Sequence, residues 1–133
     1  MKFNEAMDLF GERVEKACRQ AGHMRCRVEY SNYDYDGGDL DTVRDNLDQV
    51  AVEGKVIFWA AADDFFGGPK SRDYVSEVVE SPTWLQVCVL ANAMIASTRD
   101  THHCYLEGVQ ESYDHTLGIV PQGVKVYGFQ MGS

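Results

Sequence analysis

"SPTWLQVCVLANAMIASTRDTHHCYLEG", residues 81–108, carries the chain from its most apolar segment into its most chemically dense one. Pro82 fits the first turn of a helix and Ser81 its N-cap, where a side-chain hydroxyl can accept from a backbone N–H that has no helical partner. Helix-forming residues continue to about Ser97, so the spacing predicts a helix over about 83–97. It is apolar nearly all round, which predicts burial in the fold or in a subunit interface. The polar run beyond it alternates like a strand, with Cys104 and Leu106 on an inward face and His103, Tyr105 and Glu107 on an outward one. A long apolar helix followed by an alternating strand points to an α+β fold.

Outward from that stretch the chain remains a mixture of helix and strand signals. Phe3, Met7, Phe10, Val14, Ala17 and Cys18 recur at helical spacing, and Gly22 follows at a C-terminal cap position. In "MRCRVEYSNY", residues 24–33, Cys26, Val28 and Tyr30 share one face and Arg25, Arg27 and Glu29 the other, the pattern of a half-buried strand. "KVIFWAAA" from Lys55 reads as a central strand buried on both faces. Short helices are expected from about Leu40 to Val50, capped by Asp39 or Asp41, and from Arg72 to Val79, with "DDFFGGPKS" as the break between strand and helix. "THHCYLEGVQESY" and "GVKVYGFQM" form two last strands joined by "DHTLGIVPQ". With no repeat or linker, residues 1–133 read as a single α+β domain. Its predicted architecture is an antiparallel sheet of about four strands packed with the N-terminal helix and the long apolar helix.

Composition narrows the function classes. The chain is 44% hydrophobic and 25% charged, and no apolar run approaches the roughly 20 residues of a membrane-spanning helix. Glu5, Asp8, Glu12 and Glu15 interrupt the N-terminal apolar pattern, so no signal peptide is expected and the expected location is the cytoplasm. Cys18, Cys26, Cys88 and Cys104 are widely spaced, without a CxxC pair, and are expected to be reduced structural thiols. A formal charge of -9 disfavours extended nucleic acid as a partner, because phosphates are held mainly by basic residues. It leaves room for a nucleotide in a locally basic pocket, or for an acidic mimic of nucleic acid.

Several clusters carry candidate chemistry. "DYDGGDLD", residues 34–41, resembles a calcium loop but has glycine at a ligand position, so a solvated acidic turn is expected. His102 and His103, if on a strand, point to opposite faces and cannot chelate one ion. No metal or cofactor is expected, although Asp100, His103 and Glu107 are the residues a small metal-dependent hydrolase would use. Trp84, Cys88, Asn92, Ile95 and Arg99 form one helical stripe ending at the histidine strand. Asn92 is the only strongly polar residue between Gln86 and Ser97, and a buried amide needs hydrogen bonds from backbone, another subunit or a ligand. Trp84, Asn92, Arg99 and the polar strand face are therefore expected to line one pocket, offering a base-stacking ring, an amide and a phosphate-binding guanidinium. Phe65 or Phe66 is a further stacking surface. Arg25 and Arg27 form a basic spot that, in a symmetric oligomer, would converge in several copies on one anion.

"LANAMIASTRDTHHCYLEGV", with the terminal "VKVYGFQMGS", resembles small phage proteins with an "HHxFLEG" pattern. It is most similar to the first-type Thoeris anti-defence family, phage sponges that sequester cyclic ADP-ribose isomers. The similarity covers residues 83–108 and, more loosely, the last strand; Tyr105 stands where phenylalanine is usual. The resemblance implies an oligomeric, non-enzymatic α+β protein of the infected bacterial host cell that binds a signalling nucleotide without cleaving it, some members also taking cyclic oligonucleotides at a separate site. It implies that Asn92 contacts ligand and that Arg99 or the His103 strand face contacts phosphate and ribose. Two other classes stay open: an acidic inhibitor that occupies a basic host protein surface, and the hydrolase built on Asp100, His103 and Glu107.

Overall fold

Helix α1, Phe3–Gln20, forms because Ala6, Phe10, Val14 and Cys18 recur every fourth residue and all four are buried, while its acidic residues face solvent. In the computed structural model, which describes residues 1–133, Gly22 takes φ 85 and the Gly22 and His23 N–H groups bond back to the Arg19 and Cys18 carbonyls. That is the glycine-closed helix end the sequence predicts. Met7 departs from the predicted stripe and is 47% exposed.

Strand β1 is only Glu29–Tyr30, much shorter than the predicted strand, yet the alternation survives. Val28 and Tyr30 are buried, and Arg25, Arg27 and Glu29 are exposed. The helix expected over Leu40–Val50 is absent. In its place a hairpin pairs β2, Asp34–Tyr35, with β3, Val43–Arg44, around a 3-10 turn at Asp36–Gly38. Acidic and amide side chains bond locally there and displace helical bonding. Asp39 accepts from the Asp41 N–H at 2.9 Å and the Thr42 hydroxyl at 3.1 Å, and Asp45 accepts from the Leu47 N–H at 3.2 Å. Buried Asn46 accepts from the Tyr30 hydroxyl at 2.9 Å and donates to the Asn32 carbonyl at 3.0 Å.

Strand β4, Lys55–Ala60, buries Val56 and Phe58 in the main core, and Trp59 is buried as well. In the predicted break, Asp63 caps a one-turn helix α2, Asp64–Gly67, by accepting from the Phe65 and Phe66 N–H groups. The expected helix over Arg72–Val79 is replaced by β5, Tyr74–Val75, and β6, Val79–Glu80, both antiparallel to β4. Tyr74, Val75 and Val79 are strand formers, and β4 offers them free backbone groups.

Helix α3, Trp84–Thr98, is capped by Thr83, two residues after the predicted cap Ser81. Thr83 accepts from the Gln86 N–H at 3.2 Å while the Gln86 side chain accepts from the Thr83 N–H at 2.8 Å, a reciprocal capping box. Ser81 instead takes φ 43 and accepts from the Gly54 N–H at 2.9 Å. Nor is α3 buried all round: Gln86 and Ala96 are exposed, and Leu85, Val89 and Leu90 are half-buried.

The last strands are β7, Tyr105–Glu111, and β8, Val124–Gly132. The sheet has six strands in the order β1-β7-β8-β4-β5, with β6 also on β4, and it is mixed where an antiparallel sheet of about four strands was expected. Both β1–β7 and β4–β8 run parallel. Parallel neighbours need a long crossover, and the passage through α3 and β7 supplies it for β4 and β8. One core joins α1, α3 and the inner faces of β1, β4 and β7 through Phe10, Val14, Phe58, Cys88, Ile95 and Leu106. No helix is long and apolar enough to cross a membrane.

All four cysteines are free. Burial pushes the Cys18 thiol from 9.0 up to about 12 and the Tyr74 phenol from 10.0 up to about 12, and raises Cys88 and Tyr30 as well. These groups fold in their neutral forms. Their contribution is complete below the unfolded values and is lost as pH rises through the folded ones. The urea midpoint is therefore expected to fall as pH rises from 9.0 toward about 12, and Cys18 and Cys88 should resist a disulfide thiol reagent until the chain is denatured.

Candidate functional site

The corner after α3 is organised by one carboxylate. Arg99 ends the helix in the left-handed conformation, φ 60, and turns the chain. Asp100 Oδ1 then accepts from the backbone N–H groups of His102 and His103 at 3.1 and 3.2 Å, and Oδ2 accepts from His103 Nδ1 at 2.8 Å. Strand pairing begins only at Tyr105, so the expected divergence of the two imidazoles does not occur. They meet edge to face with ring centres 4.8 Å apart, and Phe66 stacks flat on His102 and edge-on to His103, each at 4.8 Å. Phe65 is 86% exposed and packs on Phe66 at 4.8 Å.

His103 and Asp100 border a small cavity of about 160 Å³ with Asp63, Met94, Thr98 and Met131. Glu107 does not join them: on β7 its carboxylate lies over Gly132, 2.7 Å from where a Cβ there would sit. Nowhere do three His, Cys, Asp or Glu side chains converge as a metal-binding group. Tyr105 is 41% exposed.

Asp100→Ala removes three hydrogen bonds and is expected to destabilise by about 2 kcal/mol. Asp100→Asn, which keeps an oxygen for the two backbone donors, should lose about half of that; urea unfolding of both variants checks the order. Gly67→Ala is expected to loosen the aromatic cover of the same corner, because its Cβ would fall 1.9 Å from the Thr98 carbonyl oxygen. A loss of about 2 kcal/mol and a shift of the His102 and His103 ring signals in NMR are expected, since backbone must move to relieve the clash.

The helical stripe does not form one pocket with this corner. Trp84 packs against Tyr30 at 6.2 Å, at the opposite end of α3 from Arg99. Fifteen residues of helix at about 1.5 Å each put the two ends about 22 Å apart. No small nucleotide spans that distance.

Asn92, in the middle, is 4% exposed and faces the segment that follows α1. Its Oδ1 accepts from the N–H groups of Arg27 at 2.8 Å and Val28 at 3.2 Å, and its Nδ2 donates to the Arg25 carbonyl at 2.7 Å and to His23 Nδ1 at 2.9 Å. Two donors and two acceptors exhaust the amide, so the partner Asn92 needed is backbone and an imidazole, and none of its hydrogen bonds is left for a ligand. Because Oδ1 is claimed by two N–H donors, the amide orientation is fixed. His23 Nδ1 must accept, and the ring proton then sits on Nε2.

That anchor holds Arg25 and Arg27 beside a groove of about 470 Å³ lined by His23, Met24, Asn92, Ala93 and Ala96. A neighbouring cavity of about 360 Å³ continues past Arg19, Cys18 and Cys26. Neither the Arg25 nor the Arg27 guanidinium has an ion-pair partner, whereas Arg13 binds Asp45 and Asp48, Arg19 binds Glu15, and Arg44 binds Asp36. Met24, fully exposed, stands at the rim. Arg25, Arg27 and Asn92 were legible as candidates in the sequence. His23, Met24, Ala93 and Ala96 were not, because only the α3 contact gathers them; the one signal was the run of ring, thioether and guanidinium just past the Gly22 stop.

Compared with known proteins, the chain matches no family model, and no curated protein or solved structure matches it significantly.

Proposed function

We propose that the protein binds a small cyclic nucleotide in the His23–Arg27 groove and sequesters it unchanged. The observation that carries this reading is the pair of unpartnered guanidiniums, Arg25 and Arg27, held on a groove of about 470 Å³ in a chain of net charge -9. A volume of that size suits a small-molecule ligand. Guanidiniums bind phosphate through paired charge-assisted hydrogen bonds, and the Ala93 and Ala96 methyl groups give a base or ribose an apolar surface to lie on. The ligand class, a cyclic ADP-ribose isomer or a cyclic oligonucleotide acting as an immune signal, follows from the resemblance of residues 83–108. On this reading the protein acts in phage counter-defence, as a homo-oligomer in the host cytoplasm.

A thermal-shift screen against those nucleotides is the test. A ligand that binds only the folded chain raises Tm in proportion to the logarithm of its concentration. Heat denaturation should then release the nucleotide intact. No shift with any nucleotide would overturn the reading, and recovery of a cleaved product would transfer it to an enzyme.

A second reading rests on the 2.8 Å bond from His103 Nδ1 to Asp100, which orients the imidazole as a general base with Nε2 free. It predicts hydrolysis of an added nucleotide that His103→Ala abolishes. Binding without turnover excludes it.

A further inference from the structure

We propose that the open edge of β7 is a docking site for an extended basic peptide, which adds to the sheet as a further strand beside Val109 and Glu111. β8 pairs with β7 from Tyr105 to Glu111, but on the other side β1 pairs only with Tyr105 and Leu106. The last bond on that side runs from the Ser31 N–H to the Leu106 carbonyl at 2.9 Å. No third strand pairs with β7, so residues 108–111 form a sheet edge.

Two bonds fix which backbone groups that edge presents. The Ser112 N–H donates to the Val126 carbonyl of β8 at 2.8 Å. Backbone groups alternate sides along a strand, so Gln110 also faces β8, and Val109 and Glu111 turn their N–H and C=O groups to the open side. Leu106, three residues before Val109, faces that side too, an odd step that the bulge between Leu106 and Gly108 accounts for. Two donors and two acceptors therefore stand in register, the set an added antiparallel strand engages.

Charge selects the occupant. Glu107 and Asp114 are exposed and have no ion-pair partner, and Glu111 is met only by Lys125 at 3.6 Å. Three carboxylates against one ammonium leave the edge acidic. A second copy would bring the same carboxylates and its own charge of -9 to the seam, where like charges on facing strands repel. A lysine-bearing strand answers them instead. Val109 packs on the core and Glu111, two residues on, shares its face, whereas the Glu107 carboxylate lies over Gly132 on the opposite face. The peptide that fits has lysine opposite Glu111, an apolar residue opposite Val109, and a second lysine one step further, toward Glu107.

The probe is acetyl-Thr-Lys-Thr-Val-Lys-Thr-amide, followed on the ¹H–¹⁵N spectrum of the full chain. In the free protein the Val109 and Glu111 amides should exchange with deuterium far faster than those of Gln110 and Ser112, which face β8. Peptide should shift the Val109 and Glu111 signals saturably and slow their exchange. N-methylation of the peptide valine, whose N–H meets the Val109 carbonyl, should abolish binding; N-methylation of the threonine before it, whose N–H faces away, should not. Glu107→Gln combined with Glu111→Gln should weaken binding about five- to tenfold. Absence of a saturable shift would overturn the proposal, as would equal binding of the valine-methylated peptide or of one with glutamate in place of both lysines. So would protection of the two amides that rises with protein concentration while the sedimenting mass doubles, which would give the edge to a second copy. Arg25→Ala with Arg27→Ala should leave peptide binding unchanged, which separates failure here from failure of the nucleotide groove.

Discussion

Asn92→Ala is expected to cost about 3–4 kcal/mol and to lower Tm by on the order of 10 °C. The substitution deletes an amide that makes four hydrogen bonds at 4% exposure, and it strands the Arg27 and Val28 N–H groups and the Arg25 carbonyl against α3. An ordinary exposed asparagine would cost a few tenths of that. Asn92→Asp is the sharper variant. Its carboxylate still accepts from the two N–H groups, but its second oxygen then faces the Arg25 carbonyl, which needs a donor, and His23 can answer it only by carrying its ring proton on Nδ1. Most of the loss should therefore persist in a side chain of nearly the same shape. Chemical denaturation of both variants measures it, and a change below about 1 kcal/mol in Asn92→Asp would mean that the amide does not anchor the segment.

Arg25→Ala combined with Arg27→Ala is expected to do the reverse, leaving stability within about 0.5 kcal/mol of wild type while nucleotide affinity collapses. Both side chains are exposed and unpaired, so the fold loses little with them. A charge-assisted hydrogen bond contributes about 1.5–3 kcal/mol, so loss of two guanidiniums should weaken binding by roughly 10²–10⁴-fold. Wild-type affinity should also fall with added salt, and the double variant should lose most of that dependence. Calorimetric titration at two salt concentrations reads both quantities. An unchanged affinity would remove the groove from the function, whatever the ligand.

The two variants divide the helix stripe that looked like one pocket in the sequence. Asn92 holds the segment and the arginines face outward, while Trp84 and Arg99 sit at opposite ends of α3. Helical spacing correctly placed Asn92 on a packed face and showed that it needed partners. Those partners lie 64 to 69 residues earlier in the chain, and no local pattern names them. The histidine pair failed for a related reason. Alternation separates neighbours only inside a strand, and the Asp100 carboxylate holds both residues in a turn two positions before pairing starts.

Sequence by itself determined the elements whose stabilising contacts are periodic and near in the chain. These are α1 with its Gly22 stop, the alternation from Cys26 to Tyr30, the β4 run, the α3 helix and the two C-terminal strands. Tertiary structure decided what depends on distant partners. Free backbone on β4 drew residues 74–80 into strands. Asn46, reaching Tyr30 and Asn32, helped turn residues 40–50 away from helix. The return of β8 beside β4 made the sheet mixed. Each of these rests on hydrogen bonds that local propensity leaves open, because the same backbone groups can pair within a helix or across a sheet until a distant segment is there to take them.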